Sequence, residues 1–416
     1  MTDLFELSDS ILSGKSSIDQ HHPFAPSNQL VEAGDGVAFV ESFANVAAFA
    51  TTDGLCLVDT GSLVAAPAIH TAVRGWSPDR LASAVYTHGH IDHVFGTAVF
   101  EDESAANGWE PAQVVAHELV HDRFDRYERT AGYNACINRR QFRVPDLQWP
   151  LDYRRADVTY RDELAWNVGD ATFELRHARG ETDDATWVWA PESRVLCPGD
   201  LIIWCSPNAG NPQKVQRYAR DWAVALRDMA ALDAEVLLPG HGLPIRGADQ
   251  VRSVLTDTAD LLDHLVNHTL DLMNEGATLD TIVHALEVPA DLASKPYLQP
   301  IYDEPEFVVR NVWRLYGGWY DGNPARLKPP ADSVLAAEVA ALAGGAQALV
   351  SRARAVADSG DLRLACQLVE WAVQAEPDSS EARGARSEIY GARVQAERSL
   401  MARGVYSWAA HESSTP

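Results

Sequence analysis

No apolar run in the 416 residues approaches the roughly 18 that a bilayer-spanning helix needs, so a membrane span is excluded. Basic residues are scarce. The 34 Lys and Arg stand against 59 Asp and Glu, leaving a formal charge of −25. A field of that sign repels phosphate backbones and speaks against a nucleic-acid partner. Cysteines are few, and the five (Cys56, Cys136, Cys197, Cys205, Cys366) show no paired metal-binding spacing. Thiols spread this thinly fit a reducing compartment, and a cytoplasmic location is expected. Residues 1–19 carry Asp3, Glu6 and Asp9 and no long apolar stretch, so no secretory signal is expected. What remains is ordinary globular material, 46% apolar and 22% charged, long enough for two or three domains.

Residues 1–30 hold His21, His22, Pro23 and Pro26, show no periodicity and read as an N-terminal arm. From Val37 the pattern changes. Runs 37–41, 46–51 and 55–58 are rich in β-formers, separated by Asn45 and Asp53-Gly54, and predict a meander ending in Asp59-Thr60-Gly61. Further strands are expected at 82–86, 113–116, 170–175, 186–190, 194–197 and 235–238, and helices at 63–75 and 221–232. Over 31–246 this alternation predicts an α/β domain of two sheets with helices outside. Past Gly247 strand runs vanish. Residues 250–274 form one amphipathic helical pattern closed by Gly276. Residues 361–399 have the small-residue spacing of tetratricopeptide-like helix pairs, about one and a half units where about three are needed to bury a solenoid core. An all-α domain over 247–399 follows, with a C-terminal tail at 400–416. It closes either as a bundle within one chain or against a second chain.

The chemistry concentrates in Thr87-His88-Gly89-His90-Ile91-Asp92-His93, directly after an apolar strand. Three imidazoles and a carboxylate within six residues can face one cavity. His88 and His90 can grip one cation while Asp92 and His93 reach a second, and this donor set suits Zn²⁺ and its first-row neighbours. The plain alternative is a histidine-rich surface loop.

This string resembles the HxHxDH signature of the metallo-β-lactamase superfamily. Asp59-Thr60-Gly61 upstream and Pro239-Gly240-His241-Gly242 downstream match that family's other landmarks. The resemblance implies an αββα sandwich with a dinuclear centre at one sheet edge. It assigns His88 and His90 to a first metal, and Asp92, His93 and His241 to a second. Asp200, in Cys197-Pro198-Gly199-Asp200, would bridge both, which makes Asp92 and Asp200 the catalytic carboxylates. Asp59 would hold the ligand loop from behind.

One landmark departs. Where most members have a Gly-His-Thr run, this chain reads Arg179-Gly180-Glu181-Thr182-Asp183-Asp184. Glu181 occupies the expected imidazole position as a ligand, and His177 is left a structural role. Such a Glu, nineteen residues before Asp200, resembles the alkylsulfatase branch. The run from Val312 to Ala325, with Trp313, Tyr316, Trp319 and Tyr320, closely resembles the alkylsulfatase dimerisation domain, and Asp271-Leu272-Met273-Asn274-Glu275-Gly276 fits its helical start. A homodimer is implied. Trp313, Tyr316 and Tyr320 would share a helical face with Trp319 at its edge, and helix 250–274 would cross between chains. Secretory alkylsulfatases carry a third, sterol-carrier-like domain, and ending at Pro416 this chain is expected to lack it.

Asp92, Asp200 and Glu181 set three negative charges against two divalent cations, so two Zn²⁺ are expected, with Mn²⁺ or Fe more plausible than for an all-imidazole set. A metal-bridging hydroxide would attack a small anionic or ester substrate. For the substrate's anionic group two basic segments stand out. One supplies Tyr133, Asn134 and Arg139, the other Lys214 and Arg217; the plain alternative for both is a solvated helix face. The resemblance points to a sulfuric ester hydrolase, an alkyl or aryl sulfatase. Hydrolysis of a lactone, carboxylic ester or thioester on the same site is the alternative. A non-catalytic or redox protein retaining the fold comes third.

Overall fold

The expected meander forms and opens the larger of two sheets. In the computed structural model, which describes residues 3–22 and 24–414, seven strands lie side by side in chain order. They are β1 (Leu30–Gly34), β2 (Val37–Val40), β3 (Val46–Thr51), β4 (Gly54–Val58), β5 (Leu81–Val85), β6 (Gln113–His117) and β7 (Val158–Tyr160). The first four pair antiparallel and the rest parallel. The second sheet holds β8 (Glu163–Val168), β9 (Ala171–Ala178), β10 (Ala185–Ala190), β11 (Val195–Gly199), β12 (Val236–Pro239) and β13 (Ile245–Arg246), in reverse order across the sheet. Every residue of β2, β4 and β10 is buried, the pattern of strands covered on both faces. Between the sheets Phe49 meets Phe173 edge-on at 5.1 Å, and the Trp166 indole donates to Ser83 Oγ at 2.9 Å.

The segment read as an unstructured arm begins with a helix, α1 (Leu4–Leu12). Asp3 caps it by accepting from Phe5 N at 2.7 Å, and Leu4, Ser8 and Ile11 recur on its buried face. Between strands in the chain come α2 (Ala66–Trp76), α3 (Ile91–Val94), α4 (Thr97–Asn107), α5 (Leu119–Arg129), α6 (Ala131–Phe142), whose residues from Gly132 belong to a second compact unit, and α7 (Ala219–Ala230). Helices α2 and α4 pack on the first sheet and α7 on the second. This is the αββα sandwich expected, followed by helices throughout.

Helix α8 (Ala248–Asn274) buries Val251, Val254, Leu255, Thr258, Leu262, Leu265 and Thr269, a stripe of three- and four-residue spacing, against α7 of its own chain. That apolar stripe is covered within the chain. After it come α9 (Leu279–His284), α10 (Ala290–Ala293) and α11 (Pro305–Gly317). One compact unit contains residues up to Ala131, Pro150–Glu275 and Ile282–Tyr316, so it extends well past the composition shift at Gly247. The other contains Gly132–Trp149, Gly276–Thr281 and the chain from Gly317 onward.

In that second unit α12 (Asp332–Ala343), α13 (Ala346–Asp358), α14 (Leu362–Ala375), α15 (Ser380–Ala396) and α16 (Leu400–Ser414) close a core of their own. Its centre is small: Ala353, Ala365, Ala372, Ala382 and Ala385 let the helices approach around Leu349, Val369 and Ile389. The expected tail at 400–416 is instead α16, started by Ser399 Oγ accepting from Ala402 N and anchored by buried Met401, Ala402 and Ala409. The aromatic run is not one helical face. Helix α11 ends at Gly317, and Gly318 takes a φ of 78°, so Trp319 and Tyr320 lie beyond the helix.

Candidate metal centre

The loops that leave one edge of the two sheets deliver every donor singled out in the HxHxDH string, together with Glu181, Asp200 and His241. The turn after β5 carries His88 and His90, and the short α3 carries Asp92 and His93. Glu181 sits in the β9–β10 turn, Asp200 directly after β11, and His241 directly after β12. Their donor atoms fall into three overlapping triads, His88/His93/Asp200, Asp92/His93/His241 and His90/Glu181/Asp200, each within 4.8 Å. Asp200 Oδ1 lies 3.2 Å from His93 Nε2 and 3.3 Å from His241 Nε2, and Asp200 Oδ2 lies 3.6 Å from His88 Nε2. Asp92 Oδ2 stands 3.7 Å from His93 Nε2 and 3.6 Å from His241 Nε2.

Two glycines permit this crowding. A Cβ on Gly240 would stand 2.2 Å from Asp200 Oδ1, and one on Gly89 would stand 2.8 Å from Arg123 Cδ. Side chains at either position would displace the donor groups.

Three of the rings are aimed by a bond on the far side, while His90 Nδ1 lies 2.7 Å from His88 Nε2. His93 Nδ1 lies 2.7 Å from Asp59 Oδ2, and a carboxylate there fixes Nδ1 as the protonated nitrogen. His241 Nδ1 donates to the Phe43 carbonyl, which leaves its Nε2 lone pair facing Asp92 and Asp200. Asp59 adopts a φ of 58°, a conformation Asp tolerates better than most residues, and also accepts from Thr87 N and Thr87 Oγ1, each at 2.8 Å. Thr87 Oγ1 in turn lies 3.0 Å from His88 Nδ1.

A cation fits this donor set. Among the described residues, the buried atoms His93 Nε2, Asp200 Oδ1 and Glu181 Oε2 have no hydrogen-bond partner. Leaving converging lone pairs unsatisfied in a buried place costs on the order of 1–3 kcal/mol each, a penalty that metal ligation removes. Protonation of His88 and His90 points the same way, whereas burial is outweighed by the carboxylates Asp200, Asp59 and Asp92 around His93, and by Asp200 and Asp92 beside His241, which raise those two imidazoles. Burial, reinforced by His93, lowers the pKa of His88 to about 4, and burial with His88 holds His90 well below its ordinary value, so both stay neutral. Burial alone would raise Asp200, but His241, His93 and His88 outweigh it and keep the carboxylate charged. Burial pushes Glu181 up to about 7, with Asp200 adding to the rise and Arg217 opposing it.

Several residues around the donors carried no sequence signal. Arg123, in the charged stretch of α5, is buried and donates from Nε to Asp184 Oδ2 at 2.6 Å, with Asp183 as a second partner. Asp184 Oδ2 accepts from Gly89 N at 3.0 Å, so this pair braces the His88–His90 turn. Asn208 Nδ2 donates to Glu181 Oε1 at 2.5 Å. His177 stacks on His117 at 3.7 Å and bonds the Ala185 carbonyl at 3.0 Å, away from every triad, as a structural residue would.

The substrate residues fare differently. Arg217 is 3% exposed; its Nη1 lies 2.5 Å from Glu181 Oε1 and donates to the Asn208 carbonyl at 2.8 Å. That guanidinium holds a carboxylate of the centre, which corrects the reading of Arg217 as a group open to substrate. Lys214 is half-buried; burial lowers its ammonium to about 8, with Arg217 adding to the fall and Glu181 and Asp92 opposing it. Tyr133, Asn134 and Arg139 lie on α6 in the second compact unit; Asn134 O accepts from Asn138 Nδ2 at 2.8 Å, and Arg139 Nε donates to Leu147 O at 2.8 Å.

Residues 40–241 match the metallo-β-lactamase superfamily, and residues 278–415 match the alkyl sulfatase dimerisation family. The chain thus carries a module similar to the metallo-β-lactamase superfamily, followed by a segment similar to the alkyl sulfatase dimerisation family. A linear primary-alkylsulfatase of Pseudomonas sp. (strain ATCC 19151) is 26% identical over 86% of this chain and 72% of its own length. An (R)-specific secondary-alkylsulfatase of Pseudomonas sp. is 27% identical over 83% of this chain and 56% of its own. The solved stereoselective inverting sec-alkylsulfatase Pisa1 from Pseudomonas sp. shares the fold, with a TM-score of 0.83 and 24% identity over 94% of this chain and 66% of that one. This chain therefore spans roughly half to three quarters of the length of such relatives.

Asp59→Asn keeps the size of the side chain but removes the charge that His93 and Thr87 share. Metal affinity should fall by about 10–100-fold, read by competition with a chelator. Unchanged affinity would show that the turn after β4 does not aim His93.

Proposed function

We propose that this chain is a dinuclear metal-dependent hydrolase of sulfuric esters with an alkyl or aryl alcohol. The observation that carries this reading is Glu181: a carboxylate joins His90 and Asp200 in one triad, in a chain that also carries the alkylsulfatase dimerisation segment. His88, His90 and Glu181 would hold one metal, Asp92, His93 and His241 the other, with Asp200 shared. Zn²⁺ suits the imidazoles, and three carboxylates extend the choice to Mn²⁺ or Fe. Divalent metal, when bound, supplies Lewis acidity and a water acidified towards neutrality. The chain's own residues do the rest. Asp59 and the Phe43 carbonyl keep the two imidazoles in the ligating tautomer. Arg217 and Asn208 hold Glu181, and Lys214 offers a positive charge beside Glu181 and Asp92 for the sulfuryl oxygens.

The commitment of Arg217 to Glu181 also favours a second reading. One ammonium is modest recognition for a sulfuryl group, and the same centre could act on a lactone, carboxylic ester or thioester. A non-catalytic or redox role is disfavoured because every ligand position holds a competent donor. Side-by-side assays of octyl sulfate, a lactone and a thioester with the metal-loaded chain decide between the hydrolase readings. Turnover of the sulfate ester is expected to exceed the others by at least tenfold, and the reverse order would overturn the sulfatase reading.

Asp200→Ala should leave one metal or none per chain by elemental analysis and abolish hydrolysis. Glu181→Ala should lower metal content, while His177→Ala should not. Two full metals in the Asp200 variant, or metal loss from His177→Ala alone, would refute this ligand set.

We infer a homodimer as well. Leu315, Tyr316, Trp319 and Tyr320 are all exposed, Trp319 by 70%, and aromatic surface of this kind is favoured in interface cores. Sedimentation at micromolar concentration should give twice the 45.5 kDa chain mass; a monomer would rule the dimer out. No single described helix is long and apolar enough to cross a membrane, and all five cysteines are free thiols.

A further inference from the structure

Two aromatic rings meet one metal-ligand candidate, a third stacks on one of them, and ligation does not account for them. Phe24 comes from the N-terminal segment, Phe43 from the β2–β3 turn, and Tyr302 from the stretch before α11. Phe24 stacks on Tyr302 with centroids 4.9 Å apart and planes inclined by 23°. It also lies 5.2 Å from the His241 ring. Phe43 meets that imidazole edge-on at 5.3 Å and 79°, and stands 6.2 Å from Phe24.

The N-terminal segment is fastened at this spot. Ser27 N donates to Glu41 Oε2 at 2.8 Å, and Ser27 Oγ bonds the same carboxylate. Ser42 Oγ donates to Asn28 Oδ1 at 3.3 Å, and Phe24 N donates to His22 Nδ1 at 3.2 Å. Glu41 and Ser42 directly precede Phe43, so the segment is stapled to the turn that presents the second ring.

All three rings keep part of their surface open, while His241 and Asp200 beside them are buried. Burial first, and then the charges of Glu181 and Asp92, raise the Tyr302 phenol well above its ordinary range. A partly open apolar wall next to a few converging polar groups is the usual build of a small-molecule site. It needs an occupant that is apolar on one side of the reacting bond and anionic on the other.

We propose that Phe24, Phe43 and Tyr302 form the wall that receives the apolar alcohol portion of the ester, and that Phe24, delivered by the N-terminal segment, sets which alcohols are accepted. The occupant is an alkyl chain or aryl ring in contact with the wall while the acid group meets the metal donors. A short or polar alcohol would leave the rings in water. The proposal rests on the hydrolase reading for the position of the reacting bond, but not on the acid being sulfuric.

The test uses the full-length, metal-loaded chain and a series of primary sulfates from ethyl to octyl. In the unmodified protein kcat/KM should climb with chain length. In Phe24→Ala the octyl-to-ethyl ratio of kcat/KM should fall by about tenfold, the scale of one lost apolar contact. Phe24→Leu, which keeps apolar volume, should recover most of that ratio, and metal content should match the unmodified protein throughout. An octyl-to-ethyl ratio unchanged in both Phe24→Ala and Tyr302→Ala would overturn the wall. Calorimetric binding of 1-octanesulfonate and of 1-octanol separates this idea from the sulfatase reading. If no sulfate ester is hydrolysed but octanol binding weakens in Phe24→Ala, the acid was misassigned and the wall stands. If octanol binding does not depend on Phe24, the wall is refuted whatever the acid.

Discussion

The Asp59 carboxylate is the point on which the centre hangs. It accepts from Thr87 N and Thr87 Oγ1 on one side and faces His93 Nδ1 on the other. Those bonds join the end of β4 to the loop after β5 and to α3 at once. The next two residues complete the grip. Thr60 N and Oγ1 both bond the His93 carbonyl, at 2.8 Å and 3.1 Å, and Phe95 N donates to Gly61 O at 3.1 Å. A helix of four residues has little stability of its own, so the orientation of Asp92 and His93 comes from this turn rather than from helix propensity. The positive φ of Asp59 is the local cost of bending the chain so that one carboxylate reaches both neighbours.

Charge is handled pair by pair at this edge. A chain with a net charge of −25 has carboxylates in excess, yet those buried here each have a defined counterpart. Asp184 has Arg123, Asp59 has His93, and Glu181 has Arg217. Asp200 faces three imidazoles, His88, His93 and His241, and keeps an oxygen without a hydrogen bond among the described residues. A buried charge without full compensation is expensive, and this one sits where two of the donor triads share a residue.

Much of this was legible in the residues. The HxHxDH string and the residues closing each strand are local features, because a loop after a strand keeps its donors together whatever the rest of the fold does. The edges of elements were less readable. Helix α1 was missed because its apolar positions, Leu4, Ser8 and Ile11, include a serine and span only two turns. The segment 400–416 read as a tail although Met401, Ala402 and Ala409 carry the spacing of a buried face. Helix α8 was recognised as a helix, but amphipathicity says only that a face is covered, not by what; α7 covers it within the chain. Arg217 shows the same limit in the site. A basic residue after a ligand strand is equally suited to substrate and to a neighbouring carboxylate, and only the distance to Glu181 separates them. Phe24, Phe43 and Tyr302 could not be grouped at all, since nothing local links positions so far apart in the chain.

That distance also joins two features that looked independent in the sequence, the carboxylate at position 181 and the helical segment far downstream. A buried Glu needs more support than an imidazole, because its charge must be compensated as well as its lone pairs. The support is Arg217 and Asn208, both on the loop between β11 and α7. That loop is itself held by α11. Asn311 Nδ2 donates to the carbonyls of Ala209 and Arg217 at 2.6 Å and 3.3 Å, and Gln216 Nε2 donates to the Asn311 carbonyl at 3.0 Å. Arg314 adds bonds to Gln216 Oε1 and Asn311 Oδ1 at 3.0 Å and 2.8 Å. A further clamp comes from Asp303, just ahead of α11, whose carboxylate accepts from Gly210 N at 2.6 Å. Helix α11 lies inside the segment that matches the alkyl sulfatase dimerisation family. The hydrogen bonds therefore run unbroken from that segment to Glu181: a downstream helix fixes the loop whose Arg217 and Asn208 hold this buried carboxylate.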